Sequence, residues 1–475
     1  MENSDNILIR EIKNAAFKSG GILVLRHIIG FSINFTGSII LARVLGPEII
    51  GLYFISYTVL MFGRGLIDFG VFAHFVRLPE YPSKEEISIA SNLQQILAII
   101  YVVAVIAIAM PVSAIWYGRK DLFLLIASAG IGAYFYSWHA IPLSFLERKF
   151  EYNKVGVIEV GEIIAFNVVA VVIGVCLNND ILGLSLGNIF RGITPALLAT
   201  VLTKFKPSIN SVKEKIIQLS KTVYPIFGVN ITIYIILLAP TVLVGKIAGV
   251  KELGIAQTAY ALLTYTMIIS NIFQRISFVV FSRLQNNKVE FDRYVNRAIE
   301  LLSLIYIPII MGLVSFSPLL IPFLYGNKWK GMERVVLVAG VPMFLTVFTG
   351  VLNSALLSKG KYIYVFKQSI LYTVIYWLCM FILAFFTGAM AVPISHICAL
   401  VGSGWILVYV YNKYCGRLRY SFTTILSIVG VLIMFISWYL LHRGFIYIPI
   451  VIWLVFGIIV LYNIKKNISL FGAIQ

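Results

Sequence analysis

The chain has 475 residues, 60% of them hydrophobic and only 12% charged; a soluble domain is nearer half apolar and a quarter charged, so an ordinary soluble globular fold is excluded. The formal net charge of +18 would suit a nucleic-acid partner, but the basic residues sit in short connections between apolar runs, so no nucleic acid is expected. Cys176, Cys379, Cys398 and Cys415 form no C-x-x-C pair, which indicates neither a metal site nor a disulfide framework.

In chain order, residues 1–19 are polar, and "NILIREIKNAAFKSGG" reads as a short interfacial amphipathic helix. A full-length span follows directly, so no cleavable signal peptide is expected. The apolar runs then predict fourteen transmembrane helices: 20–43, 48–74, 87–112, 121–145, 155–177, 181–203, 222–245, 253–280, 296–320, 333–357, 362–386, 391–412, 420–441 and 444–464. Each is long enough for the roughly 20 residues that a bilayer requires. The charge-free run 368–412 must hold two of them, broken at "GAMAVP", and "NND" at 178–180 separates another pair. If the N-terminus is cytoplasmic, segments on that side, with their adjoining turns, carry 25 Lys and Arg against 9 opposite. That bias places both termini in the cytoplasm. The basic connection "KFKPSINSVKEKIIQLSK", 204–221, divides an N-lobe (20–203) from a C-lobe (222–412), and 413–475 holds the last two spans.

The two lobes repeat. At an offset of 203, Arg43 meets Lys246, Gly46 meets Gly249, Gly51 meets Gly254 and Tyr57 meets Tyr260. Tyr117-Gly118 meets Tyr325-Gly326 at 208, and Lys149 and Tyr152 meet Lys359 and Tyr362 at 210. A slowly drifting offset is the residue of a duplicated six-helix unit. Both copies start on the cytoplasmic side, so the repeats are parallel. The expected fold is all-α and polytopic: two parallel six-helix lobes around a central cavity, able to rock for alternating access, plus spans 13 and 14.

The stretch "ARVLGPEIIGLYFISYTVLMFGRGLIDFGV", 42–71, carries a basic residue, "LGP", a glycine four residues after the proline, and then "DFG". In this it is similar to the opening of the polysaccharide biosynthesis, or oligosaccharide flippase, family. That family includes O-antigen flippases and teichuronic acid exporters, within the multidrug/oligosaccharidyl-lipid/polysaccharide exporter superfamily. The fourteen spans and the repeat extend the resemblance over essentially the whole chain. The resemblance implies a transporter rather than an enzyme, in the cytoplasmic membrane of a prokaryote. It implies a polyprenyl-diphosphate-linked oligosaccharide as cargo, membrane lipids and polysaccharide assembly proteins as partners, no cofactor, and coupling to a Na+ or H+ gradient or to the membrane potential.

The ionisable residues within spans are few: Arg26, Arg64, Asp68, Glu159, Glu162, Arg191, Arg275 and Glu300. Each costs roughly 2.5–3.5 kcal/mol at mid-helix, so each needs a partner or a wet surface. At about 1.5 Å per residue, Arg26 and Arg64 lie level on neighbouring helices, and Asp68 lies one turn deeper on the face of Arg64. Arg191, nearer the outer side, stands apart in this reckoning. Arginine suits phosphate because its planar fork stays charged and donates paired hydrogen bonds. The related lipid II flippases carry cavity arginines on helices 1, 2 and 8, the helices of Arg26, Arg64 and Arg275. Arg26, Arg64, Arg275 and Arg191 are therefore the candidate head-group residues. Asp68, Glu159 and Glu162 are the candidate supporting or ion-coupling residues. The alternative for Arg64 and Asp68 is an internal ion pair that makes burial tolerable. Gly63, Gly65 and Gly70 read as a small-residue face, for close packing or an open surface. The dispersed histidines His27, His74, His139 and His396 read as core or interfacial polar groups. By the repeat, Arg64 corresponds to Met267 and Asp68 to Asn271, so the charge pair belongs to the first lobe alone.

Three rival classes remain. A membrane glycosyltransferase or polymerase would want acids in sizeable outer loops, and the predicted ones are tiny. An ATP-driven exporter would carry G-x-x-x-x-G-K-[ST], which does not occur. A cation-coupled drug antiporter shares the twelve-helix core but not the extra helix pair or an arginine-rich interior.

Overall fold

In a computed structural model the described residues, 2–78, 80–149, 151–205, 213–418 and 422–472, form helices and turns with no strand among them. Within these ranges, nothing is described of the side chains of residues 2–28, 213, 225, 226, 229, 230, 272, 275, 276, 279, 422–428, 462 and 464–472. A helix is what such runs must form, because hydrocarbon offers no partner for an unpaired backbone N–H or C=O.

Among the described residues seven helices are long and apolar enough to cross a membrane outright, and Leu122–Tyr134 with Tyr136–Arg148, bent by 41°, makes an eighth. Two of the seven, Ile29–Asp68 of 40 residues and Tyr362–Tyr414 of 53, have the length of two crossings each. The first is divided at Gly46, whose φ of 80° and ψ of 176° are non-helical; the second is divided at Gly388, φ 57°. The remaining segments lie where the seventh, eighth, thirteenth and fourteenth spans were expected: Lys213–Ala239 with its π-helical extension to Val244, Val250–Thr264 with Met267–Leu284, Phe422–His442, and Tyr447–Gly472. The fourteen predicted spans therefore each have a helical counterpart among the described residues. The backbone is helical from Glu2 onward, continuous with the first span. Side chains of the proposed amphipathic stretch lie outside the described residues, as do residues 206–212 of the inter-lobe connection.

One predicted helix is shorter than expected. The second span ends at Asp68 instead of residue 74; Phe69 (φ 48°) and Gly70 (φ 87°) turn the chain into a short helix, Val71–Arg77. Asp68 is the reason: its carboxylate accepts from the backbone N–H of Gly70 (3.2 Å) and Phe72 (3.1 Å). This is the local competition with helical bonding at which aspartate excels.

The chain divides into two compact units, Met1–Thr241 and Val242–Gln475. The helix Lys213–Ala239, which the sequence assigns to the second lobe, thus packs with the first unit. Phe227 stacks on Phe69 at 4.6 Å between ring centres, and Thr241 at its far end shares a 2.9 Å hydroxyl bond with Thr58.

Within each unit the same backbone devices recur at the repeat positions. Gly46 and Gly249 both open the next helix in a positive-φ, extended-ψ conformation (80°, 176° and 101°, 160°). Gly118 and Gly326 have φ of 68° and 81°. Lys149 and Lys359 end their helices at φ, ψ of −83°, 2° and −86°, 6°. Ser83 and Asn287, 204 residues apart, cap the third and ninth spans by accepting from the N–H of Glu86 (3.1 Å) and Glu290 (3.2 Å). Shared caps and turns at matched positions are a stronger mark of duplication than shared apolar residues, because each demands a particular residue type.

Outside the spans, Arg119 brackets the start of the fourth. Its guanidinium grips Asp121 through two bonds (3.1 and 2.7 Å) and pairs with Glu48. Those hydrogen bonds hold the Asp121 carboxyl below its ordinary value of 3.8. A lowered carboxyl contributes stability above its unfolded value and loses it as pH falls through the folded one. The melting temperature of wild type should exceed that of Asp121→Ala at pH 7. The gap should close as the pH drops below 3.8; a gap that persists at pH 2 would show that the contact is not electrostatic.

In the first unit, the fourth and sixth spans cross with backbones in contact. A Cβ on Gly192 would lie 2.2 Å from the carbonyl oxygen of Gly132, and one on Gly132 would lie 2.4 Å from that of Asn188. Neither obstacle is a flexible side chain, so Gly192→Ala should destabilise the unit by about 1–3 kcal/mol, read as a lower melting temperature in detergent. Gly228→Ala, with nothing within 4 Å, serves as the neutral comparison.

Candidate functional site

On the second span, Tyr53, Tyr57, Arg64 and Asp68 recur at spacings of four and seven residues, which places them along one helical face. On the fifth, Glu159, Glu162 and Phe166 share a face in the same way. The first unit brings these faces together. Arg64 Nη2 lies 2.8 Å from Glu162 Oε1, with the two side chains 14% and 19% exposed. The guanidinium also stands 5.8 Å from the ring centre of Tyr136, on the fourth span. Its Nε is buried and makes no hydrogen bond to a described residue. Arg64 is thus held on one edge and retains an unused donor on another.

Arg191, from the sixth span, joins the same assembly. Its Cζ lies 3.8 Å from the ring centre of Phe166 and 5.5 Å from that of Tyr57, and its Nη1 donates to Tyr53 Oη at 3.0 Å. Glu162, one turn before Phe166, is within electrostatic reach of both arginines and of His139. Aromatic faces attract guanidinium and fix its plane, so Arg191 is rigidly mounted, and Glu162 is the carboxylate nearest to balancing two cations.

Arg191 keeps the more outward place expected of it, against Tyr53, Tyr57 and Phe166, which lie outward of Arg64 and Glu162 along their helices. The structure revises the sequence expectations in two places. The partner of Arg64 is Glu162 rather than Asp68, because Asp68 spends its oxygens on the turn at Gly70. The glycine face is closed, since a Cβ on Gly65 would lie 2.2 Å from the ring of Tyr234, and one on Gly63 would lie 2.3 Å from that of Tyr101. Glu159 is half-buried. Glu300, also half-buried, takes a 3.0 Å bond from Arg297 near the start of its own helix. The side chains of Arg26 and Arg275 lie outside the described residues. Sequence reading missed Tyr53, Tyr57, Tyr136, Phe166 and Tyr234 as site residues; the four- and seven-residue spacing on the helices of Arg64 and Glu162 was the signal that could have found three of them, Tyr53, Tyr57 and Phe166.

These features define a class: a multi-pass, all-helical membrane protein built from a duplicated six-helix unit, with an ion pair and a stacked arginine inside one copy. The family model for "Polysaccharide biosynthesis protein" matches residues 40–334, and the chain belongs to that family. Among curated proteins it is similar to the teichuronic acid biosynthesis protein TuaB of Bacillus subtilis (strain 168), 25% identical over 327 residues. That alignment covers 64% of this chain and 64% of TuaB. It is also similar to the lipopolysaccharide biosynthesis protein WzxC of Escherichia coli (strain K12), 21% identical over 78% of this chain and 74% of that one. Among solved structures, the lipid II flippase MurJ in an inward closed conformation shares the fold at a TM-score of 0.71 and 15% identity, over 97% of this chain and 100% of MurJ. An inward-facing multidrug resistance transporter of the MATE family shares it at 0.62 and 14% identity, over 82% of this chain and 98% of that one.

Removing one member of the Arg64–Glu162 pair strands the other. Arg64→Ala and Glu162→Ala should each lower the melting temperature, and the double variant should lose less than the sum. A double-mutant cycle should return a coupling of about 1–3 kcal/mol; additivity would mean that the contact contributes nothing.

Proposed function

We propose that this protein is a flippase: it moves a polyprenyl-diphosphate-linked oligosaccharide, the precursor of a surface polysaccharide, across the cytoplasmic membrane of a prokaryote, with both termini in the cytoplasm. The observation that carries the reading is the Arg64–Glu162 pair with Arg191 beside it, two guanidinium groups mounted inside the membrane region of the first unit. A diphosphate is the anion for which planar, always-charged forks are suited. The names borne by relatives agree: teichuronic acid and lipopolysaccharide biosynthesis, and lipid II flipping. Arg26 and Arg275, on the first and eighth spans, extend the head-group set in this proposal. The repeat supplies the motion, since two parallel copies can rock to expose cargo to each side in turn. Glu159 and Glu162 are the carboxylates through which an H+ or Na+ gradient would enter the cycle.

Deleting the gene tests this. Lipid-linked oligosaccharide should accumulate on the cytoplasmic leaflet while surface glycan disappears. Wild-type protein should restore export, and Arg64→Ala, inserted at normal levels, should not. Normal surface glycan together with new drug sensitivity in the deletion strain would sink the flippase reading; full activity of Arg64→Ala would remove that residue from the site.

A further inference from the structure

The second unit holds a cluster that neither the family match nor the flippase reading uses. His396, on the twelfth span, is ringed by three tyrosines. Its Nδ1 shares a 3.1 Å hydrogen bond with Tyr260 Oη, and the two rings stack at 5.8 Å. Tyr372 and Tyr376, from the eleventh span, stand near-perpendicular to the imidazole at 5.9 and 6.1 Å and stack on each other at 5.7 Å. Tyr376 is buried, while Tyr260, Tyr372 and His396 are half-buried. The hydroxyls of Tyr372 and Tyr376 and the Nε2 of His396 make no hydrogen bond to a described residue.

Position makes this more than a packed core. The offset of 203 pairs Tyr260 with Tyr57, and the offset of 210 pairs Tyr372 with Glu162 and Tyr376 with Phe166. Three of the four members thus occupy the repeat positions of the first unit's arginine site. Where that copy has a carboxylate it has a phenol, and an imidazole closes the set in place of a guanidinium. The duplication kept the place and exchanged its charge for uncharged donors, acceptors and ring faces. Such a set does not suit phosphate, because it lacks a fixed positive charge. It does suit a polyhydroxylated ring: C–H bonds of a pyranose lie against an aromatic face, and hydroxyls trade hydrogen bonds with phenol and imidazole. A cage for an organic cation would instead present several ring faces to one point, whereas Tyr372 and Tyr376 meet His396 at 84° and 73°.

We propose that Tyr260, Tyr372 and His396 form a saccharide subsite, backed by Tyr376, that holds an uncharged sugar of the cargo. The proposal rests on the flippase reading.

The test uses the full-length protein in nanodiscs and two probes: undecaprenyl diphosphate, and the same lipid carrying one N-acetylglucosamine. Wild type should bind the glycosylated lipid about fivefold more tightly, the order of one well-placed aromatic contact. Tyr372→Ala and His396→Ala should abolish that preference and leave affinity for the sugar-free lipid unchanged. Tyr372→Phe and His396→Gln, which keep volume, decide the matter if either alanine variant fails to fold; each should reduce the preference. Equal loss for both probes assigns the cluster to packing and overturns the proposal. So does a wild type that binds the sugar-free lipid with no preference for the glycosylated one, which leaves the flippase reading standing. A wild type that binds neither probe overturns both.

Discussion

A guanidinium in hydrocarbon must bring its own solvation, and the first unit is arranged around that constraint. Arg64 alone would be expelled toward an interface or would draw water in after it. Glu162 answers it from the fifth span at 2.8 Å, which fixes how the second and fifth spans face each other. Arg191 meets the same constraint by another route, with aromatic faces and one phenol in place of a carboxylate. Gly132 and Gly192 let the fourth and sixth spans close to backbone contact, and a Cβ on Gly187 of the sixth would lie 3.0 Å from the ring of Phe166 on the fifth.

The repeat shows what the constraint does over the life of a duplicated gene. The backbone devices that set helix ends are held in both copies: the glycine at 46 and 249, the cap at 83 and 287, the helix-ending lysine at 149 and 359. The interior residues are held less well: Tyr57 recurs as Tyr260, but Arg64 gives way to Met267, Asp68 to Asn271, Glu162 to Tyr372 and Phe166 to Tyr376. Divergence has thus fallen on the first copy's charged interior positions, while the residues that shape the turns stayed.

Much of this was legible in the sequence, for reasons specific to membranes. A bilayer forces helices, so charge-free runs located the spans, and the turn glycines exposed the repeat because positive φ admits few other residues. The helix-ending role of Asp68 was hidden, because a residue four places from an arginine reads equally as its partner or as a cap. Only the turn at Phe69 and Gly70 decides between them. The depth of Arg191 was legible but its aromatic mount was not, because which faces meet is a property of two helices. His139 and His396, dispersed in sequence, each join a polar cluster in space for the same reason. The packing of Lys213–Ala239 with the first unit was equally out of reach, since the long basic connection before it marks where the duplication joined but not which side the next helix prefers.

The arrangement around Arg64 also bears on how a flippase could release what it binds. A bare cation pair in a dry site would hold a diphosphate too tightly to turn over, since charge-assisted bonds strengthen as water leaves. Here the site comes with a resident anion. In the proposed site a phosphate oxygen arriving at Arg64 would replace Glu162 instead of filling an empty, uncompensated charge, and the displaced carboxylate would remain within electrostatic reach of Arg191. The cost of displacing Glu162 would offset part of the binding free energy, which eases release on the other side. In the proposed head-group site Glu162 would act beside the arginines, as the resident anion that makes exchange possible.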